Sequence, residues 1–325
     1  MGTGRPCHSS GVGAVPDYDR LMDSEVRAFM ARTALHYPPD AVDLTVDDQR
    51  RVYNAMCADF DVGYPDGVTA QDRTFGGVPS RVYSRAAPVA GTVFFCHGGG
   101  FVVGGLDSHD SICAEFCAGT GMQVIAVDYG LSPECPFPRD FEDAWAAFQA
   151  VCAETTGAIV LCGDSAGGNL VAAVAHYARG RIDGRISGSL LIYPGLGGDR
   201  TRGSYVTHAD APGLSVRDMA FYQSLRSGGQ DRTGDPRFAP LQDTDFSGLP
   251  PVVVLTAEFD PLSSDGEAYR DAIQAAGGRA VWIEEAGLVH AHLRARHMSK
   301  RAATSFARMV QALTLLREGQ MTDIA

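Results

Sequence analysis

A serine stands at the centre of Gly163-Asp164-Ser165-Ala166-Gly167, with a glycine two residues to either side. The stretch before it, Ala158-Ile159-Val160-Leu161-Cys162, is apolar and β-branched, the composition of a strand buried on both faces. The stretch after it, Gly168-Asn169-Leu170-Val171-Ala172-Ala173-Val174-Ala175, reads as a buried helix. So sharp a turn strains the backbone of its central residue, and a side chain at Gly163 or Gly167 would collide with the adjoining strand or helix. The strain lifts the Ser165 hydroxyl above the sheet as a nucleophile. The helix start puts the Ala166 amide where a developing oxyanion would sit. The bland alternative is a glycine-rich turn with a structural serine, so the rest of an acyl-transfer site must be sought elsewhere.

Such a site needs converging amides, a base and an acid to orient the base. After an apolar strand the chain reads His97-Gly98-Gly99-Gly100-Phe101, whose consecutive glycines free the amides of Gly98, Gly99 and Gly100 to turn toward one point. The same turn could cradle phosphate, but neither G-x-G-x-x-G nor a Walker lysine follows, which argues against a nucleotide. His97 precedes the nucleophile and reads as an imidazole pinning the glycine loop. Asp260, just past a strand at 251–256, can reach the top of the sheet and is the favoured acid; Glu258, nearer the strand, is its rival. Asp265 reads as a helix cap. His290, in the loop after a strand at 280–283, is placed to hang over the serine as general base. Asp164, His97 and Glu258 complete the set as supporting residues. His290 and His292 form an H-x-H pair, yet no further ligand stands at supporting spacing, so no metal or other cofactor is expected. His8, His36, His109, His176, His208 and His297 read as surface or cap residues.

Stepping along the chain, Leu21, Val26, Phe29 and Met30 recur at helical spacing within 16–34, with Asp17 as a candidate cap. Pro38-Pro39 breaks that helix, and a second begins near Thr45 and runs through Tyr53 and Met56. A hairpin is predicted over 73–84 around Gly76-Gly77. Strands at 92–96, 123–127, 188–193, 251–256 and 280–283 then alternate with helices at 107–118, 140–153, 265–276 and 298–317. This alternation predicts an α/β fold with a mostly parallel, doubly wound sheet flanked by helices. The long stretch between 193 and 252 holds a single helix signal, at 216–225. The expected organisation is a tail over 1–15, N-terminal cap helices over 16–65, and a catalytic domain over 70–325 with a cap insertion at about 195–240.

Composition narrows the partners. The formal net charge of −12, without a basic run, excludes nucleic acid and anionic membrane surfaces. Apolar runs of about eight residues are too short to span a bilayer. Residues 1–15 lack a signal-peptide core, and Pro6 stands where a myristoylation signal needs Ser or Thr, so a cytoplasmic location is expected. The eight cysteines show no CxxC pair, and Cys96 and Cys162 lie in apolar strands; reduced thiols are expected.

His97 to Phe101 with Gly104, Asp128-Tyr129 with Leu131-Ser132-Pro133-Glu134 and Phe137-Pro138, Gly163 to Gly168, Glu258 with Asp260-Pro261-Leu262, and Gly287 to His290 stand in one order over about residues 70–295. In these motifs the chain resembles the hormone-sensitive-lipase-like branch of the α/β-hydrolases, which includes bacterial acetyl esterases. The resemblance implies an α/β-hydrolase fold with a helical cap. It also implies Ser165 as nucleophile, His290 as base, Asp260 as orienting acid, and an oxyanion hole of Gly98, Gly99, Gly100 and Ala166. Gly130, His292 and Ser263-Ser264 depart from the family pattern without removing a catalytic group. A plant branch that performs dehydration carries threonine at the nucleophile position, and Ser165 argues against it.

The function implied is serine carboxylic-ester hydrolysis through a covalent acyl-enzyme, acting on a small-molecule ester. A lid of two separate pieces should enclose a small pocket, favouring acetyl to about hexanoyl esters. The same triad could serve a tailoring deacetylase, lactonase, amidase or acyltransferase, and the same fold a non-catalytic binding module. A homodimer stays open.

Overall fold

Alternating burial along the central strands sets the architecture. In β3 (Val89–Cys96), Phe94 and Cys96 enter one apolar cluster while Val93 and Phe95 enter another, all fully buried. β5 (Ile159–Asp164) and β7 (Val252–Phe259) divide their side chains in the same way. Strands apolar on both faces need a helical layer on each. The computed structural model, which describes residues 16–182 and 184–321, has both layers. α5 (Arg139–Glu154), α6 (Ala166–Ala178) and α9 (Ser263–Ala275) cover one face; α4 (Asp110–Thr120) and α10 (Lys300–Arg317) cover the other.

The remaining strands are β1 (Val68–Phe75), β2 (Val78–Arg85), β4 (Met122–Val127), β6 (Ile186–Ile192) and β8 (Ala280–Val289). Among the described residues they complete one sheet in the order β1-β2-β4-β3-β5-β6-β7-β8. β2 runs antiparallel to both neighbours, and from β4 onward every pairing is parallel. The β1–β2 hairpin turns at Gly76-Gly77 but begins at Val68, before the predicted 73.

Above the carboxyl ends of the strands lie α1 (Tyr18–Leu21), α2 (Ser24–Ala34), α3 (Val46–Asp59), α7 (Ser204–Thr207) and α8 (Val216–Ser227). The first predicted helix is therefore two. Asp17 makes no side-chain cap bond, whereas Asp23 accepts from the amides of Glu25 and Val26 and starts α2. Thr45 caps α3 through the Asp48 amide, and a Ser215–Asp218 capping box starts α8. Val26, Phe29, Tyr53 and Met56 pack with Val102, Val103, Phe259 and Val289, so α2 and α3 are joined to the strand ends by a third apolar cluster.

Two expectations for polar residues fail. Asp265 is inside α9, fully buried, and accepts from the amides of Leu196 and Gly197 and the Tyr205 hydroxyl; it anchors the 195–198 loop. His109 and His176 are buried, not superficial. His176 bridges Asp243 (2.5 Å) and Tyr269 (2.8 Å), locking α6 to α9. The seven described cysteines carry free thiols. Cys7, His8 and the predicted tail lie outside the described residues.

Candidate active site

Ser165 sits between β5 and α6 with φ 53° and ψ −116°, a left-handed conformation strained for any residue with a side chain. The glycines around it are required by contact. A Cβ on Gly163 would strike the Gly167 carbonyl, and one on Gly167 would strike the Cys96 carbonyl of β3. The turn leaves Ser165 half-buried, with Oγ 2.9 Å from His290 Nε2. His290 Nδ1 lies 2.6 Å from Asp260 Oδ2, and the other Asp260 oxygen accepts from the Leu262 amide at 2.9 Å. Asp260 is fully buried, so its charge is committed to the imidazole and that amide.

His290 directly follows β8, which continues to Val289 instead of ending at the predicted 283. Glu284-Glu285 interrupts the apolar run that marked the strand. Both carboxylates are held, Glu284 by the Ser263 hydroxyl and Glu285 by Arg308. Glu258, the rival acid, accepts from the Gly287 amide at 2.6 Å and braces the approach to His290.

One predicted oxyanion donor is otherwise engaged. The Gly98 amide donates to Asp164 Oδ1 at 2.7 Å. No acceptor for the amides of Gly99, Gly100 or Ala166 occurs among the described residues, and these flank Ser165. Asp164 itself is buried with His109, Arg294 and Tyr193 around it. Burial opposes its ionisation, but His109, Arg294 and the Gly98 amide hold its carboxyl well below the usual range. His97 stacks on Tyr129 with ring centroids 4.4 Å apart and donates from Nδ1 to the Gly98 carbonyl at 2.8 Å. Burial lowers it to about 4, which keeps it a neutral pin for the loop. His292, the partner in the H-x-H pair, donates to the Val289 carbonyl and accepts from Ser305, so it points away from any position shared with His290.

Tyr37, just after α2, and Tyr222 on α8 meet over the site, hydroxyl to hydroxyl at 2.7 Å. Two cavities open on Ser165 beside this pair. One of about 400 Å³ extends along α6 and α8; one of about 110 Å³ lies under α2 and α3 and includes His290. No local spacing links Tyr193, Arg294 or Tyr37 to Ser165, and the sequence around His109 suggests only a surface or cap residue. The one available signal was Asp164, a charge inside a buried turn that had to have partners.

Sheet order, crossover helices and a strand–serine–helix turn at the carboxyl edge define an α/β-hydrolase architecture. The family described as alpha/beta hydrolase fold matches residues 93–294, and the chain belongs to it. It is 37% identical over 267 residues to carboxylesterase NlhH of Mycobacterium tuberculosis, covering 78% of this chain and 80% of that protein. It is 32% identical to ethyl acetate hydrolase of Pseudomonas putida, covering 73% and 78%. Among solved structures, the hyperthermophilic esterase of the archaeon Pyrobaculum calidifontis superposes with a TM-score of 0.81 at 28% identity, covering 90% of this chain and 98% of that one. No helix among the described residues is long and apolar enough to cross a membrane.

Proposed function

We propose that the protein is a carboxylic-ester hydrolase for small, short-chain acyl esters, with Ser165 as nucleophile, His290 as base and Asp260 as orienting acid. The observation that carries this reading is the unbroken hydrogen-bond path from Ser165 Oγ through His290 to buried Asp260. As Oγ attacks the ester carbonyl, its proton passes to Nε2, and Asp260 steadies the imidazolium. The amides of Gly99, Gly100 and Ala166 receive the oxyanion. The alcohol departs with the proton from Nε2, and water cleaves the acyl-enzyme by the same route. The esterase names of its relatives support the ester as substrate, and cavities of about 400 and 110 Å³ suit short chains. Residues 16–65 and 195–240 act as the cap, and unpaired thiols agree with a cytoplasmic setting. Ser165→Ala is expected to lower kcat by about 10³ or more and to abolish covalent labelling by an activated phosphonate, which mass spectrometry locates on Ser165 in the parent enzyme. A label on another residue, or a variant retaining a hundredth of the activity (about 10⁻² of kcat), refutes the assignment.

A further inference from the structure

The two cavities that open on Ser165 meet along a narrow boundary. Gly100, Ser165, Leu214 and Tyr222 are the residues that line both. Gly100 and Ser165 belong to the floor, so Leu214 and Tyr222 are the cap side chains that stand between the two spaces. Tyr222 closes the boundary onto the floor. A Cβ built on Gly100 would fall 2.6 Å from its ring. The ring therefore rests on the bare Cα of the glycine loop, and no alkyl chain passes beneath it.

The far end of the ring is also held. The Tyr222 hydroxyl meets that of Tyr37 at 2.7 Å, and Tyr37 packs edge-on against Tyr53 with ring centroids 5.8 Å apart. The Tyr53 hydroxyl in turn accepts from buried Arg294 at 2.6 Å. On the same helix as Tyr222, Arg217 pairs with Asp43. Contact below and a braced hydroxyl above keep the ring from swinging aside, so the boundary is a fixed wall.

The spaces it divides are unequal, about 400 Å³ and about 110 Å³. Both have apolar sides, with Phe101, Met219 and Leu262 in the larger and Phe29, Met30 and Met56 in the smaller. The chemistry decides which half of an ester enters each. The imidazole must protonate the leaving oxygen, so the alcohol half lies on the His290 side. His290 lines the smaller cavity and not the larger. Resting on the ester-hydrolase reading, we infer that Tyr222, seated on Gly100 and held by Tyr37, sets the orientation of the ester. It confines the alcohol to the smaller cavity and leaves the larger to the acyl chain. The substrates are esters of a butanoyl- to hexanoyl-sized acid with a small alcohol. The reverse esters, a short acid on a long alcohol, are disfavoured because their surplus methylenes overfill the smaller cavity.

Ethyl hexanoate and hexyl acetate test this, being isomers that differ only in which half is long. The acetate carbonyl is the less hindered, so intrinsic reactivity opposes the expected result. We would measure kcat/KM for both in the full-length enzyme, in Tyr222→Ala and in Leu214→Ala. A methylene with room to enter is worth about fourfold, so the parent enzyme is expected to favour ethyl hexanoate by about tenfold or more. Tyr222→Ala opens the wall and should bring the ratio within about threefold of one, chiefly through faster cleavage of hexyl acetate. A parent enzyme that cleaves hexyl acetate as fast or faster overturns the orientation and leaves the hydrolase reading standing. Cleavage of neither ester overturns both. An equal loss on both esters in Tyr222→Ala, with the ratio kept, makes Tyr222 a prop for Gly100 and overturns the wall. Should Tyr222→Ala fail to fold, Leu214→Ala opens the same boundary from the loop before α8. The ratio should fall there too, and an unchanged ratio overturns the wall.

Discussion

Asp260 and Glu258 stand two residues apart at the end of β7, and their different partners assign them different work. Asp260 meets His290 Nδ1 at 2.6 Å, whereas Glu258 meets the Gly287 amide at the same distance. Asp260→Asn turns a donor toward Nδ1, forces the wrong imidazole tautomer, and is expected to cost about 10⁴ in kcat. Glu258→Gln keeps an acceptor for Gly287 and should cost less than about tenfold. Steady-state kinetics of both variants on one p-nitrophenyl ester checks this, and a larger loss for Glu258→Gln would exchange their roles. At this scale much was legible. Ser165 and Asp260 each follow a strand end, and a strand end is readable from a short apolar run; His290 follows one too, although the run that marks its strand stops at 283. What stayed hidden was pairing across the chain. Nothing local announces that the Gly98 amide turns back to Asp164, or that His109 and Arg294 gather around that carboxylate.

At the scale of elements, α3 reaches the glycine loop through one side chain. Arg50 donates from Nε to the Val102 carbonyl at 2.9 Å, from Nη2 to the Ser132 carbonyl at 3.0 Å, and pairs with Glu134. The amides of Val102 and Val103 both return to the Gly99 carbonyl at 3.0 Å, and the Ser132 amide bonds the Phe101 carbonyl. Arg50 therefore clasps the turn that presents Gly99 and Gly100. Loosening it should misplace amides that matter most when the oxyanion forms, so Arg50→Met is expected to lower kcat about tenfold with little change in KM. A rise confined to KM would mean that α3 serves only the pocket wall. The sequence marked α3 and its start near Thr45 well, because helix-start signals and apolar spacing are local. It misjudged β8 and Asp265 for one reason. Charges that look like a strand end or a helix cap are here buried or paired, Glu285 by Arg308 and Asp265 by backbone amides supplied from the 195–198 loop.

Over the whole molecule, burial of ionisable groups on both sides of the sheet edge gives stability a definite pH dependence. Burial lowers His97 and His292 to about 4, from an ordinary value of 6.5. Between those values the folded protein binds fewer protons than the unfolded chain. Their neutral forms thus favour folding above ~6.5, and that contribution is lost as pH falls toward ~4. His109 and His176 shift in the same direction, again chiefly by burial. Asp265 opposes them. Burial raises its carboxyl to about 6, so its protonated form favours folding in acid and the benefit fades as pH rises through that value. Four histidines against this carboxyl leave a net loss of stability on acidification, about 1.4 kcal/mol per pH unit for each excess proton. His292→Phe isolates one of these contributions. Phenylalanine can keep the packing against Tyr193, whose ring centroid lies 5.1 Å away, while removing the proton site and the bonds to Val289 and Ser305. The variant is expected to be less stable at pH 7 yet to lose stability more gently between pH ~6.5 and ~4, by about one proton's slope. Urea unfolding at half-unit pH steps reads that slope directly. Parallel profiles for the parent and the variant across this window would show that His292 protonates equally well folded and unfolded, and would overturn the assignment.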